Sequence, residues 1–402
     1  MEKWIKGIIP ALLMHISIGS VYAFSLFFNP LKQYFSVDDF AIQSIFSLAI
    51  FFLGMSAAFC GNLVEKDISK SGKIGTILFL SGFLLSAIAC ETHSLWLMHL
   101  GYGVIGGCGL GLIYLTPCKT IMMWFPQNKG LAVGISVMGF GLGSTIASPI
   151  INNLLQYCSL TETFLLMGIM YAFFLIIGTS WLEKPKNYFV KNPEKVKKFK
   201  YKKIISNPIF ISLWIMFFCN IHCGLATISY ATDILSVYGT KATIIPIIVS
   251  IMGIFNGLGR ISFSTVSDKL ENRGYIFVGI ALIPLLTMIP LESLGAVGIC
   301  VLLCFIAMVY GAGFACIAPL LSEVFGMTNI SKIHGLILSA WGIAGLTGNL
   351  SMVFFKNLGL KIPQIFWIIF ALYICEFILA SIITLTLKEK NDNIVISKEV
   401  ER

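Results

Sequence analysis

The stretch IMGIFNGLGRISF, residues 251–263, places one permanent cation, Arg260, in a run that is otherwise apolar or small. Asn256 stands four residues earlier, one helical turn away on the same face. A guanidinium cannot discharge by losing a proton, and its planar fork grips a carboxylate through two parallel hydrogen bonds. The chemistry this pair points to is anion binding. Catalytic patterns are absent: the sequence has no HExxH, no P-loop and no CxxC spacing among its eleven cysteines, which read as small apolar packers. The expectation is therefore a binding protein, not an enzyme, with no cofactor and no metal.

The elements that position these residues follow from composition. The chain has 402 residues, is 57% hydrophobic and only 12% charged, and its mean hydropathy of +0.88 lies outside the range of soluble domains. Apolar segments long enough to cross a ~30 Å hydrocarbon core recur along it. Twelve are expected, near 7–29, 41–63, 74–91, 95–120, 130–156, 163–182, 208–236, 243–266, 274–292, 295–322, 333–355 and 363–387. The first is too long for a signal peptide and reads as an uncleaved span. The predicted class is an all-α polytopic membrane protein with twelve transmembrane helices, whose partner is the lipid bilayer.

A net charge of +9 would suit nucleic acid, but its main source is one loop, Glu183–Lys203, with nine lysines (184, 186, 191, 195, 197, 198, 200, 202 and 203). Nucleic acid is therefore not an expected partner. With the N-terminus cytosolic, the outer loops hold only Lys32, Lys241, Lys356 and Lys361, which satisfies the positive-inside rule and puts both termini in the cytosol. A plasma or inner membrane is expected, or an organelle membrane if the source is eukaryotic.

The lysine-rich loop also divides the chain into two sets of six spans. Gly109, Gly111 and Pro117 in GLGLIYLTP recur 202 residues later as Gly311, Gly313 and Pro319 in GAGFACIAP. Glu65 and Lys66 after span two recur as Asp268 and Lys269 after span eight, and Gly130 opening span five pairs with Gly335 opening span eleven. A six-span duplication explains all three. The domains expected are an N-terminal six-helix half (1–182), a basic cytosolic linker (183–206), a C-terminal six-helix half (207–390) and a cytosolic tail (391–402).

The turn GNLVEKDISKSGK, with Gly61, Leu63, Glu65 and Lys66, resembles the loop between spans two and three of the major facilitator superfamily. Within it, GSVYAFSLFFNPL (19–31), WFPQNKGLAVGISVMGFGLG (124–143), NGLGRISFSTVSDK (256–269) and SAWGIAGLTG (339–348) look like the oxalate/formate antiporter family, related to the monocarboxylate transporters. The resemblance covers the whole chain. It implies the major facilitator fold, transport of small carboxylates by alternating access, and a conformational latch at Glu65, Lys66, Asp268 and Lys269. It also implies that spans one, four, ten and eleven wall a central cavity, so that Tyr22, Tyr114, Tyr310 and Trp341 surround the carboxylate and His15 and His222 hydrogen-bond it or carry a proton. Solvated turns explain the latch residues nearly as well, and histidines bonded to neighbouring helices are the preferred reading of His15 and His222. The glycines of span four (101, 103, 106, 107, 109 and 111) read as packing contacts.

Arg260 lies roughly 12 Å inside the cytosolic end of its helix, counting back from Asp268, where an arginine costs about 2.5–3.5 kcal/mol. It must face a partner or a water-filled cavity. Structural partners are few, since only Glu376 is central and Asp233 lies near an outer helix end; Lys119 and Glu323 are expected to snorkel to the interface. Anion binding is accordingly preferred over a buried ion pair. In many monocarboxylate transporters an aspartate stands where Asn256 does; an amide cannot carry a proton, which favours exchange, facilitated movement or a proton carried elsewhere. Oxalate would be best neutralised by two cations, yet Trp341 occupies the helix-eleven position where a lysine would serve. A monoanion such as pyruvate, lactate or formate is expected, with an oxalate-type exchanger or a drug or metabolite exporter as alternatives; Ser144 replaces the proline an exporter tends to carry. The carrier is expected to act as a monomer.

Overall fold

The computed structural model describes residues 1–186, 199–289 and 295–400. Linker residues Lys191, Lys195, Lys197 and Lys198, positions 290–292 of the ninth span and the last two residues of the tail lie outside them. Among the described residues every regular element is helical. In a bilayer core, only a helix satisfies each backbone N–H and C=O within its own segment.

The long helices are α1 (Trp4–Phe35), α2 (Asp39–Lys66), α3 (Ile68–Glu91), α4 (Leu95–Trp124), α5 (Lys129–Tyr157), α6 (Leu160–Trp181), α7 (Pro208–Ser229), α8 (Ile245–Ser267), α9 (Gly274–Met288), α10 (Ala296–Phe325), α11 (Ile330–Asn357) and α12 (Ile362–Val400). Eleven are long and apolar enough to cross a membrane, and α9 is a shorter apolar helix ending beside residues outside the description. The seventh span is shorter than expected: α7 ends at Ser229, and Ala231–Val237 forms a separate helix. Asp233 lies there and pairs with Lys356 at 3.0 Å, so it is no partner for Arg260.

Helix starts follow local chemistry. Asp38, Asp67 and Asn207 accept hydrogen bonds from first-turn amides of α2, α3 and α7, and Ser159 with Glu162 forms a reciprocal cap on α6.

The helix pairings recur with an offset of six. The contacts α1–α5, α1–α6, α2–α4 and α3–α6 are matched by α7–α11, α7–α12, α8–α10 and α9–α12. Between the two sets the main seams are α2–α11 and α5–α8, which exchange under the same offset. Both seams are glycine-lined. A side chain at Gly54 would run into the backbone of Gly342 and Leu338, and one at Gly134 into Arg260 and Ser264. The span-four glycines pack α4 against α2 and α3.

Candidate functional site

The connections α2–α3, α4–α5, α8–α9 and α10–α11 meet at one end of the bundle, the basic end. There the seams are closed by carboxylates. Glu65 Oε1 accepts from the backbone N–H of Ser331 at the start of α11 (2.7 Å), while Oε2 is paired with Lys119. Asp268 accepts from Gly130 N–H (2.8 Å) and Leu131 N–H (2.7 Å) in the first turn of α5, and from Arg273 (2.7 Å). Each acid thus joins the two six-helix sets through a helix N-terminus, where a negative charge is favoured.

Two expectations change here. Lys119 does not snorkel: it is 5% exposed and ion-paired with Glu65, because the α2–α11 contact covers the route to water. Lys66 and Lys269 are exposed and enter no ion pair among the described residues. Their place is taken by Lys119 and Arg273, one on a different helix from its acid and one four residues further along the turn. Glu323, on the exposed end of α10, lies 3.4 Å from Arg273.

At the opposite end the seams part around a cavity of about 690 Å³. Ser25, Phe28 and Asn29 of α1, Gln43 of α2, Ser229 at the end of α7, Thr232 in the short helix that follows, and Val249 of α8 line its mouth; Tyr22, Gly141, Asn256 and Tyr310 line its deep end. The Tyr22 and Tyr310 hydroxyls, one from each set, are 2.7 Å apart across this floor.

Arg260 lies one turn beneath Asn256, 1% exposed. Its Nε donates to Asn256 Oδ1 (2.9 Å) and one terminal nitrogen donates to the Val137 carbonyl of α5 (3.1 Å). The guanidinium sits over the rings of Phe140 (5.8 Å) and Phe314 (5.2 Å). Its remaining nitrogen, Nη2, has no hydrogen-bond partner, and Arg260 makes no ion pair among the described residues. The side chain therefore has neither the carboxylate nor the open water that its insertion cost demanded. Two cation–π contacts and two charge-assisted hydrogen bonds offset the cost of inserting the charge. Neutral groups hold the cation and leave its charge uncompensated.

Phe140 and Phe314 also carry Trp341 (5.5 and 4.5 Å between centroids) and Tyr114 (5.7 and 6.4 Å), which touch each other at 5.4 Å. Both are fully buried, and Trp341 Nε1 and Tyr114 Oη have no partner. Three polar groups without partners thus share one pair of phenyl faces. Tyr22 and Tyr310 belong to the same assembly through Phe140 and Phe314.

The histidines fall elsewhere. His15 is buried, with Nδ1 against Ser136 Oγ (2.7 Å) and Nε2 against the Tyr114 carbonyl (3.3 Å). His222 is bonded to Thr347 (3.0 Å) and Ser351 (3.3 Å) of α11. Neither lines the cavity, and neighbouring helices engage both rings. Glu376 is fully buried on α12 beside Asn220 of α7, away from Arg260. Phe140, Phe314 and the Val137 carbonyl were missed from sequence. Phe314 had a signal, since it is the aromatic inside the duplicated GAGFACIAP motif, whereas a backbone carbonyl leaves none.

Comparison with known proteins is consistent in fold and class. The pattern of the Major Facilitator Superfamily matches residues 11–349. The chain is 25% identical over 353 residues to an oxalate:formate antiporter of Oxalobacter formigenes, covering 86% of this chain and 83% of that protein. It is 25% identical over 350 residues to monocarboxylate transporter 12 of Xenopus laevis, covering 78% and 74%. Among solved structures, the transporter FucP in an outward conformation superposes with a TM-score of 0.69 at 16% identity, over 93% of this chain and 98% of that one.

Proposed function

This chain belongs to the major facilitator superfamily, a transporter and not an enzyme, and from that premise we propose that it carries small monocarboxylates of the pyruvate, lactate or formate type by alternating access, with the anion docking at Arg260. The observation that carries the reading is Arg260 Nη2: a buried cationic donor with no partner, held by neutral groups between the two sets of helices. A carboxylate there satisfies Nη2 and neutralises the charge in one step, and the Trp341 and Tyr114 donors stand against the same rings.

The cavity supplies the approach. A carboxylate entering it meets the Tyr22–Tyr310 hydroxyl bond, which parts to admit the anion below Asn256. Arg260, on α8, is bonded to α5, so an anion bound at it lies where the two halves move past one another. We further propose that the halves are 1–182 and 207–390, that the basic end is cytosolic on the positive-inside argument, and that Glu65 and Asp268 hold that end shut while the cavity faces outward.

The competing reading is a dicarboxylate exchanger, which the antiporter relative favours. Charge arithmetic at the central site opposes it: Lys119, the other buried cation of this pathway, stands toward the basic end and is paired with Glu65, so Arg260 meets the anion without a second cation beside it. Uptake of labelled pyruvate, lactate, formate and oxalate into proteoliposomes, with and without a pH gradient, separates the two. Monocarboxylate uptake is expected to saturate and oxalate to compete poorly; preferred oxalate uptake overturns the one-cation argument.

The wall at Gly141 gives a further prediction. A Cβ there would lie 3.3 Å from both Arg260 Nε and Asn256 Oδ1, so Gly141→Ala presses on the pair that aims the guanidinium. Overpacking of about 1 kcal/mol raises KM about fivefold, with thermal stability nearly unchanged. An unaltered KM would show that this wall does not bear on the anion.

A further inference from the structure

Beneath the central site, toward the basic end, α4 and α11 enclose a crevice lined by Leu115, Lys119, Met122, Ile330, Ser331 and His334, too tight to admit water in this conformation. Three of the six can bind an anion. Ser331 and His334 are each 1% exposed, and Ser331 Oγ and His334 Nε2 have no hydrogen-bond partner. Burying polar groups without partners is unfavourable, so their presence calls for a state in which they find one.

The crevice continues the line of the central site. His334 and Trp341 are seven residues apart, two turns along one face of α11, which separates them by about 10 Å. On α4, Tyr114 faces both Trp341 (5.4 Å) and His334 (6.1 Å), and Lys119 lies a little more than one turn further on. Arg260 Nη2, Trp341 Nε1, Tyr114 Oη, His334 Nε2 and Ser331 Oγ are five of the thirteen buried polar side-chain atoms without partners among the described residues, and all five lie along this path.

The chain itself shows which ligand chemistry fits. The Glu65 carboxylate already bridges Lys119 and the Ser331 N–H at the rim of the crevice. When α2 and α11 separate, the Ser331 N–H and Oγ, His334 and one flank of Lys119 become available together to a second carboxylate.

We propose that Lys119, Ser331 and His334 form a second docking station for the transported carboxylate, entered from the basic end and closed in the present conformation. The proposal rests on the reading of Arg260 as the central site and extends it: an anion reaching the carrier from the basic side is held first at Lys119 and His334, then passed along Tyr114 and Trp341 to Arg260. Occupation of the station places a carboxylate next to Glu65 and opposes reclosure of the seam until the anion has moved on.

The test measures KM for labelled pyruvate and formate from each face separately, in right-side-out and inside-out membrane vesicles carrying the full-length protein. His334→Leu is expected to raise KM from the basic face about tenfold, the loss of one hydrogen bond to a charged ligand, while KM from the cavity face stays within about twofold. His334→Gln, which retains a donor, restores most of the affinity. Ser331→Ala gives a smaller rise on the same face and replaces His334→Leu if that variant does not reach the membrane. Equal KM changes from both faces, or none from either, overturn the station while leaving Arg260 standing. An unmodified protein with no saturable flux of either anion overturns the central reading and this one with it.

Discussion

On the proposed reading, Arg260→Ala is expected to abolish saturable carboxylate transport while the variant still inserts and folds. Losing a charge-assisted contact with a carboxylate costs about 2–5 kcal/mol, a fall of roughly 30-fold to several thousand-fold in kcat/KM. Stability falls as well, but by less than the contacts of the side chain sum to, because the insertion cost of the buried cation is removed with it. The side chain makes no ion pair among the described residues, so its removal strands no buried opposite charge; it leaves the Asn256 amide oxygen and the Val137 carbonyl without a donor and the Phe140 and Phe314 faces under a gap. Arg260→Lys retains the charge but not the fork, and is expected to keep a small part of the activity with a raised KM. Proteoliposome uptake alongside a thermal melt of the purified variant separates the effects. Undiminished pyruvate or formate uptake by Arg260→Ala would sink the proposed site.

The second large effect is at Asp268. Its carboxylate accepts two backbone N–H groups at the start of α5, so Asp268→Ala removes two charge-assisted hydrogen bonds and a favourable helix-end charge. Arg273 retains Glu323 as a partner, which limits the damage to the turn. The loss is about 2–4 kcal/mol of closed-state stability, a population shift of roughly 30- to 1000-fold toward opening at the basic end. Hydrogen exchange then accelerates in the first turn of α5. It also accelerates at Ser331–His334 on α11, a seam the substitution does not touch, because both seams open together if the two halves move as units. Acceleration confined to Gly130 and Leu131 would mean that Asp268 only caps α5 and latches nothing. Net transport falls as the cavity-facing state empties.

Several features were legible without coordinates. Apolar runs of spanning length dictate helices, since no other open backbone survives in lipid. The pairing of Arg260 with Asn256 is local, fixed by the four-residue spacing of a helix. The duplication was legible because motifs repeat at a constant offset, and the helix pairings recur in the matching pattern.

What the sequence determined by itself is thus the helical nature of the spans, their repetition, and the presence on α8 of one deep cation with few carboxylates to meet it. The tertiary structure decided its surroundings: Phe140 and Phe314 over the guanidinium, the Val137 carbonyl beneath it, the tyrosine pair across the cavity floor, and Lys119 drawn onto Glu65 instead of reaching toward water. The physical reason is the solvent. A soluble helix shows its inner face by its apolar stripe, but a helix in lipid is apolar all round, so its periodicity does not say which side meets protein. Which helices touch, and therefore which polar atoms are left without partners, is settled by glycine-mediated fit between segments far apart in the chain.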